Sequence, residues 1–527
     1  MSVLTALARI EAAQAGRAQP IADVRHHHLS DRPLVIVPLR LAGEAAAPLA
    51  LLAGTAPDDV EFLIVPQPRD RVLRLQFIAD VADRVLPYIS SFADPSASFE
   101  LVPIKSRSGS DAGAASKTEA AGLSAAGEQT ETDEAAAPQE WKRYNDAPQL
   151  LVPNGGGVEF LRLLGRSVRF HPTEGPTAVP ESVPLLGRWL TWFADRAEHP
   201  GSCALLPLTT VLTMHWATGQ SALEDANLAA LLGWIAPPHG RTGAQAAALA
   251  EDPLRTPPAG PATDPSFDNE ELAPLITAYD NAIGDEARTV AVHRLESALR
   301  AQLEPTWHLM WRGIELLRAL PEGASVPRRW LNDRSAYSRF TADLPESLPQ
   351  ARRDSAVPAV RRLLDRERAL DIFEAERAFD DPRVMIERRL AGEAFRGEVF
   401  DSEPDRIDTS GSRRKLRPHI RVRTDDPFRA SLDETLFSIE RVKQKGKVVE
   451  VDEDGIVLEL EGGMGRALTA PPGSVPEVGD VVGFARFSPA SFNAPAKLPA
   501  REETPWTHGG PPPEYAPSAD EPAEEWS

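Results

Sequence analysis

The period of the hydrophobic pattern changes near residue 416, and this change restricts the fold more than any other feature of the sequence. Residues 268–398 carry apolar side chains three and four positions apart, which is the spacing of amphipathic helices. Later in the chain, apolar residues such as Ile420 and Val422 alternate with polar ones, which is the pattern of a half-buried strand. The chain therefore combines a long helical part with a strand-rich part.

The strand-rich part contains a hairpin. Residues 447–451 and 456–460 are apolar-rich runs on either side of a turn that includes Gly455. Residues 476–484 have the pattern of a further turn that leads into a final strand. Short strands joined by glycine-containing turns predict a small β-barrel of the OB-like or SH3-like kind over residues 416–488.

Composition and apolar spacing divide the rest of the chain into distinct regions. Apolar runs at 34–37 and 62–65, followed by helical spacing over 71–89, indicate an α/β region. Further along the chain, the pattern predicts a helix over about 205–216 and two helices over 286–303 and 306–320 that Pro305 separates. Residues 105–147 nearly lack large apolar side chains, which predicts disorder. The predicted fold class is α+β with several domains. In chain order the regions are a small N-terminal α/β domain (1–104), a disordered linker (105–147), a helical domain (148–240), a Pro/Ala-rich loop (241–267), a helical, Arg-rich region (268–398), the small C-terminal β-barrel (416–488) and a disordered acidic, Pro-rich tail (489–527).

Positive charge is concentrated in one part of an acidic chain. The net charge is −21, yet residues 328–429 contain 23 Lys and Arg against 20 Asp and Glu. In the predicted strands the basic residues fall two apart and would share a face, which could follow a nucleic-acid backbone. An ordinary solvated basic face is the alternative. The predicted nucleic-acid-binding residues are Arg413, Arg414, Lys415, Arg417, Arg421, Arg423, Arg441, Lys443, Lys445 and Lys447.

A second segment, residues 328–340, interleaves basic and aromatic side chains. This composition is typical of a surface that docks a partner protein, although packing within the chain is the alternative. The predicted docking residues are Arg328, Arg329, Trp330, Arg334, Tyr337 and Arg339.

We find no catalytic signature in the sequence. The adjacent histidines 26–28 cannot readily converge on one ion. The glycines 155–157 lack the Lys-Ser/Thr that completes a P-loop. Cys203 adjoins apolar residues, which predicts a buried, inert thiol. As the only cysteine, it also excludes an intramolecular disulfide and a cysteine-based zinc cluster, so we predict no cofactor and no metal site.

The barrel resembles, in general character, the small β-barrels that are appended to or inserted in nucleic-acid motor proteins, although no Walker motif accompanies it here. The leading hypothesis is a non-catalytic accessory or scaffold protein that contacts DNA or RNA and binds a partner protein, such as an ATPase, a helicase or a nuclease. A purely protein–protein interaction module is the second hypothesis. The third is an enzyme with an unfamiliar site around Trp189, His215 and Trp307. The lack of an apolar leader or span predicts a cytoplasmic protein without membrane contact.

Overall fold

The computed structural model describes residues 3–103, 140–345, 356–411, 413–441, 443–452 and 455–490. Most of the predicted linker and nearly all of the predicted tail lie outside the described residues.

The described elements are thirteen α-helical segments, two short helical turns and seventeen strands. The helices are α1 (Val3–Ala15), α2 (Arg71–Ser90), α3 (Gly155–Val168), α4 (Ser182–Ala197), α5 (Leu208–Thr213), α6 (Leu228–Ile235), α7 (Gly243–Ala250), α8 (Pro265–Phe267), α9 (Ala273–Asp280), α10 (Asp285–Arg318), α11 (Val326–Asp343), α12 (Ala356–Asp380) and α13 (Pro382–Leu390). The turns are a 3₁₀ turn (Glu224–Ala226) before α6 and a π-helical turn (Asp268–Leu272) between α8 and α9. The strands are β1 (Gln19–Pro20), β2 (Leu34–Arg40), β3 (Pro48–Ala56), β4 (Asp59–Ile64), β5 (Phe99–Pro103), β6 (Glu140–Tyr144), β7 (Leu150–Val152), β8 (Leu205–Pro207), β9 (Trp216–Ala217), β10 (Ala394–Glu403), β11 (Ile407–Asp408), β12 (Lys415–Leu416), β13 (His419–Arg423), β14 (Thr435–Ser438), β15 (Lys445–Val451), β16 (Ile456–Glu461) and β17 (Val481–Ala485).

A mixed five-stranded sheet lies at the centre of the helical body. Its order is β4-β3-β2-β7-β8, with β2, β3 and β4 antiparallel and β7 parallel to both β2 and β8. Strand β2 is buried at six consecutive positions, so both of its faces are covered. Helix α10 lies along β2, β3 and β4, while α4 packs against α2 and α3.

The sheet brings together two regions that composition separates. Strands β2, β3 and β4 come from residues 1–104, and β7 and β8 come from residues 148–240. One hydrophobic core contains Ile36 and Leu151 from these strands together with Leu299 of α10 and Tyr337 of α11. The elements share a core because each alone would leave an apolar face exposed.

Two elements differ from the helices that the sequence predicts. Helix α10 continues through Pro305, where the sequence predicts a break. Its Leu303 and Trp307 are buried, and this packing outweighs the cost of a proline inside a helix, about 3 kcal/mol. The predicted helix over 205–216 is instead β8 followed by α5, because residues 205–207 pair with β7.

The last part of the predicted linker is ordered. Residues 140–144 form β6, which pairs antiparallel with β5. Tyr144 lies against Tyr337, with the ring centres 6.0 Å apart. These contacts with a distant helix hold a segment whose own composition favours disorder.

The predicted β-barrel is confirmed. Six strands close in the order β10-β13-β16-β15-β14-β17. The first of them, β10, precedes the predicted start at residue 416, and its N-terminal part falls in the region predicted to be helical. It pairs with β13 and β17, which closes the barrel, and it places Phe395 in the barrel core.

The barrel is attached to the body at one end. Ala394 and Ala485 pack with Val384 of α13, and Arg389 donates to both carboxylate oxygens of Asp426, at 2.8 and 3.0 Å. Neighbouring strands around this barrel alternate in direction. The described parts of the connections 404–418, 439–444 and 462–480 therefore emerge together at the opposite end, and we call these connections the distal loops.

Candidate nucleic-acid interface on the barrel

The two basic strands are not neighbours in the barrel. Strand β16 lies between β13 and β15, so the two basic strands are about 10 Å apart. Burial alternates along β13 and places Arg421 and Arg423 on the outside, as the sequence predicts. The intervening β16 has Glu459 and Glu461 on its outward face. A row of carboxylates therefore divides the predicted basic groove.

Glu459 is the centre of an ion-pair cluster on this outer face. Its carboxylate lies 2.7 Å from Arg406 Nη1, 3.4 Å from His419 Nε2 and 3.9 Å from Arg417 Nε. Arg417 also pairs with Glu461 at 3.0 Å. The positive charge of Arg417 is thus largely balanced within the chain.

Further strand cations face carboxylates. Arg421 lies 3.4 Å from both Glu450 and Asp452. Lys447 lies 2.6 Å from Asp433, and this hydrogen bond raises the pKa of Lys447. Exposed ion pairs of this kind stabilise a fold by about 0–1 kcal/mol each. The outer strand face is therefore a paired surface rather than an open cationic groove.

The aromatic side chains near the predicted groove serve mainly the core. Phe484 is fully buried, while Phe428 and Phe487 are partly buried against hydrophobic clusters. Phe437 is half-buried on the outer face, where Lys445 Nζ lies 5.2 Å from its ring centre. Arg423 similarly lies over a ring, that of Phe400.

The remaining predicted cations lie in the distal loops. Arg413, Arg414, Lys415 and Lys443 are exposed, and within the described residues none of them forms an ion pair. Arg441 is half-buried in the same loops. Because these loops point away from the helical body, the four exposed cations are accessible to a large polyanion.

Several carboxylates of the distal loops accept hydrogen bonds from backbone N–H groups. Asp405 accepts a hydrogen bond from Ala470 N at 3.1 Å, and Glu440 accepts one from Gly483 N at 3.0 Å. Asp408 accepts hydrogen bonds from the backbone N–H and the hydroxyl of Ser410, and these bonds, the backbone one most, lower the pKa of Asp408. The three loops hold eight Lys and Arg against five Asp and Glu. Two of these cations, Arg406 and Arg417, pair with glutamates of β16, which leaves six against five, whereas the whole chain is strongly acidic. The distal loops are thus a locally basic surface.

The larger side chains of the predicted docking segment face inward. Arg329, Trp330 and Tyr337 are only 5%, 7% and 0% exposed. Arg329 pairs with the buried Glu376, and the Tyr337 hydroxyl donates to Ile89 O at 2.8 Å. These three side chains hold α11 to the rest of the body and are not available to a partner in this structure.

Two docking residues remain on the surface. Arg328 and Arg339 are exposed, although Arg328 pairs with Glu376 and Arg339 lies over the Trp141 ring. Arg334 is mostly covered and pairs with Glu100 at 3.1 Å. The sequence pattern could not separate inward from outward positions here, because basic and aromatic residues occur on both sides of the helix.

The histidines 26–28 are directed at three different neighbours. The ring partners are His215 for His26 at 5.3 Å, Phe373 for His27 at 5.4 Å, and Trp330 for His28 at 4.3 Å. Burial is the main cause that lowers the pKa of His26 to about 2 and that of His215 to about 4, so these imidazoles are neutral. No group of three or more His, Cys, Asp or Glu is placed to hold a metal ion in the part of the chain that the structure describes.

Cys203 is fully buried, as predicted. Desolvation raises the pKa of its thiol to about 12, so the thiolate that a nucleophile needs is absent at neutral pH. Its backbone N–H donates to Asp333 Oδ2 at 2.6 Å. The residue is part of a buried polar network.

The side chains around which we predicted an enzyme site, Trp189, His215 and Trp307, belong to separate aromatic groups. Trp189 meets Phe340 edge-on, Trp307 meets Trp311, and His215 stacks on His26. The glycine run at 155–157 opens α3, where Asn154 Oδ1 accepts the hydrogen bond of Gly157 N. The helix end is thus capped from within the chain.

No family model, curated protein or solved structure matches this chain. In addition, no helix among the described residues is both long and apolar enough to cross a membrane.

Sequence reasoning missed the importance of Glu459 and Glu461. Their spacing of two in a predicted strand already places both carboxylates on one face. The neighbours of this strand depend on the strand order of the barrel, and local sequence patterns do not specify strand order.

Proposed function

We propose that this protein is a non-catalytic accessory or scaffold protein of the cytoplasm, which contacts nucleic acid through the distal loops of the barrel and binds a partner protein through its helical body. The observation that carries the proposal is the group of four exposed cations, Arg413, Arg414, Lys415 and Lys443, at the end of the barrel remote from the body. Contacts of this kind are made to phosphates and carry no sequence information.

The architecture of the barrel supports the same proposal. We assign it to the OB-like or SH3-like small barrels, and in OB-folds loops between the strands take part in oligonucleotide binding. The ion pairs of Glu459 and Glu461 leave the outer strand face nearly neutral, so we place the nucleic-acid contact on the distal loops and not on the predicted strand groove.

An exposed apolar stripe on α1 supports a protein partner. Val3, Leu7 and Ile10 lie on one side of this helix and are 67%, 50% and 55% exposed. A motor or nuclease subunit with an apolar groove would bury these side chains in the manner of a helix-in-groove complex.

The test is the salt dependence of binding by the full chain. Fluorescence anisotropy with labelled single-stranded DNA, single-stranded RNA and duplex DNA is measured between about 50 and 200 mM salt. Replacing the four distal cations by Ala should weaken binding to every sequence alike. For a single strand the slope of log K against log salt should fall by about 3, because each lost phosphate contact removes roughly 0.7.

A matched variant separates this effect from a change in net charge. Four exposed arginines of the body, Arg17, Arg241, Arg288 and Arg294, are replaced by Ala in the control. The control should keep the wild-type slope. Equal losses in both variants, or no binding by the wild type at the lowest salt, would contradict the proposal.

A protein–protein module is the second candidate. The alternating charges around Glu459 favour it, since such a paired surface suits a polar protein partner better than a polyanion. Co-purification of a stoichiometric partner after nuclease treatment, with no affinity for nucleic acid, would support this candidate over the first.

A further inference from the structure

A cleft with an excess of arginine lies between α4 and α12, away from the barrel loops. Its volume is about 740 Å³. Trp192, Ala369 and Ile372 form an apolar part of its wall. The charged lining residues are five arginines and two aspartates, namely Arg169, Arg196, Arg362, Arg366, Arg368, Asp195 and Asp365.

The helical repeat explains why the arginines meet in this cleft. Arg362, Arg366 and Ala369 are spaced four and three apart, so they share the side of α12 that faces α4. On α4 and just after it, Trp192, Arg196 and His199 repeat with the same spacing. The two helices therefore present their charged sides to each other rather than to bulk solvent.

Several of the guanidinium groups are held in place by the body. Arg196 Nη2 lies 2.7 Å from Oδ1 of the fully buried Asp333. Arg366 pairs with Glu198, and Arg169 is 7% exposed, with its guanidinium 4.7 Å from the Phe170 ring centre. A ligand would meet positioned groups, which reduces the entropy lost on binding.

We infer that this cleft binds a small organic phosphate with at least two phosphate groups, of the size of a nucleoside diphosphate or triphosphate. The guanidinium fork matches phosphate oxygens. The five lining arginines outnumber the two lining aspartates together with Asp333 and Glu198, which pair with Arg196 and Arg366, and this leaves a formal net charge of +1. The volume lies in the range of small-molecule sites and exceeds the need of an inorganic phosphate. The apolar wall receives the organic part.

Calorimetric titration of the full chain with ADP, ATP and inorganic tripolyphosphate tests the inference. Saturable binding of ADP or ATP is expected, with tripolyphosphate weaker because it has no organic part. The double variant Arg362→Ala, Arg368→Ala should bind ATP roughly 100-fold more weakly, about tenfold for each charge-assisted contact. Alanine is favourable in a helix, so α12 should persist.

The control is Arg361→Ala, an exposed arginine of the same helix that does not line the cleft. It should bind ATP within twofold of the wild type. Absence of saturable ATP binding, an equal affinity for tripolyphosphate, or an equal loss in the control would each overturn the inference. The distal-loop variant should retain ATP binding, so failure here is distinct from failure of the nucleic-acid proposal.

Discussion

Replacing Asp333 by Ala should open the body around Cys203. The Asp333 carboxylate is fully buried and accepts hydrogen bonds from Cys203 N at 2.6 Å, Ser202 Oγ at 2.7 Å and Arg196 Nη2 at 2.7 Å. Its removal leaves a guanidinium and a buried amide without their acceptor. Breaking a buried ion pair in this way costs about 3–5 kcal/mol of the free energy of unfolding. Asp333→Asn keeps the shape and one carbonyl oxygen, so we expect a smaller loss, about 1–3 kcal/mol.

The thiol of Cys203 can report the opening of this region. Cys203 is the only cysteine and is 0% exposed, so a thiol reagent can reach it only when this region opens. Since 1.36 kcal/mol corresponds to a factor of ten, the Ala variant should label about 10²–10⁴ times faster than the wild type. Labelling with an aromatic disulfide at neutral pH, followed by absorbance, measures the rate.

Asp343→Ala is the matched control for this experiment, since Asp343 lies on the same helix and is exposed. Its free energy of unfolding should change by less than about 0.5 kcal/mol. If Asp333→Ala labels within threefold of the wild type, the carboxylate does not support this region and the reasoning is refuted.

Three further predictions concern pH, the barrel face and a hairpin. Stability against urea should fall as the pH is lowered from about 6.5 to 4, because His26 and His215 stay neutral in the fold but bind protons when unfolded. The slope of the free energy of unfolding approaches roughly 1.4 kcal/mol per pH unit for each histidine. A urea midpoint that does not change with pH would contradict this prediction. Glu459→Gln should strengthen nucleic-acid binding and steepen its salt dependence in the anisotropy assay, since the cations around Glu459 lose their carboxylate partner. Unchanged binding would count against a role for the outer strand face in nucleic-acid binding. Gly54→Ala should lower the thermal midpoint, at a cost of about 1–3 kcal/mol or more of the free energy of unfolding, because the added Cβ would lie 1.6 Å from a backbone carbonyl oxygen. The control Gly155→Ala, with open space around the added Cβ, should leave the thermal midpoint unchanged.

Local patterns predicted the barrel well and its start poorly. The alternation in β13, β15 and β16 is a period-two signal that a strand shows whatever it pairs with. Strand β10 follows α13 directly, so the helical pattern before it concealed the change of period. Only its pairing with β17 shows that these residues close the barrel.

Helix ends were predicted less accurately where distant contacts override local preference. Pro305 is a strong local signal for a break, yet α10 continues because its buried side packs on the sheet. Residues 205–207 begin the apolar run for which the sequence predicts a helix, yet they form β8 because an edge of the sheet is available beside β7.

For the candidate site, the sequence by itself determined which residues carry charge and which face of a strand they occupy. It placed Arg421 and Arg423 outside the barrel and gathered Arg413, Arg414 and Lys415 in one run. The tertiary structure alone decided that β16 separates the basic strands and that its glutamates pair with their cations. Strand order and ion pairing depend on contacts between residues far apart in the chain, whereas periodicity reports only what each segment buries. The same reason explains why the arginines of α12 form one wall of a cleft only because α4 lies on its other side.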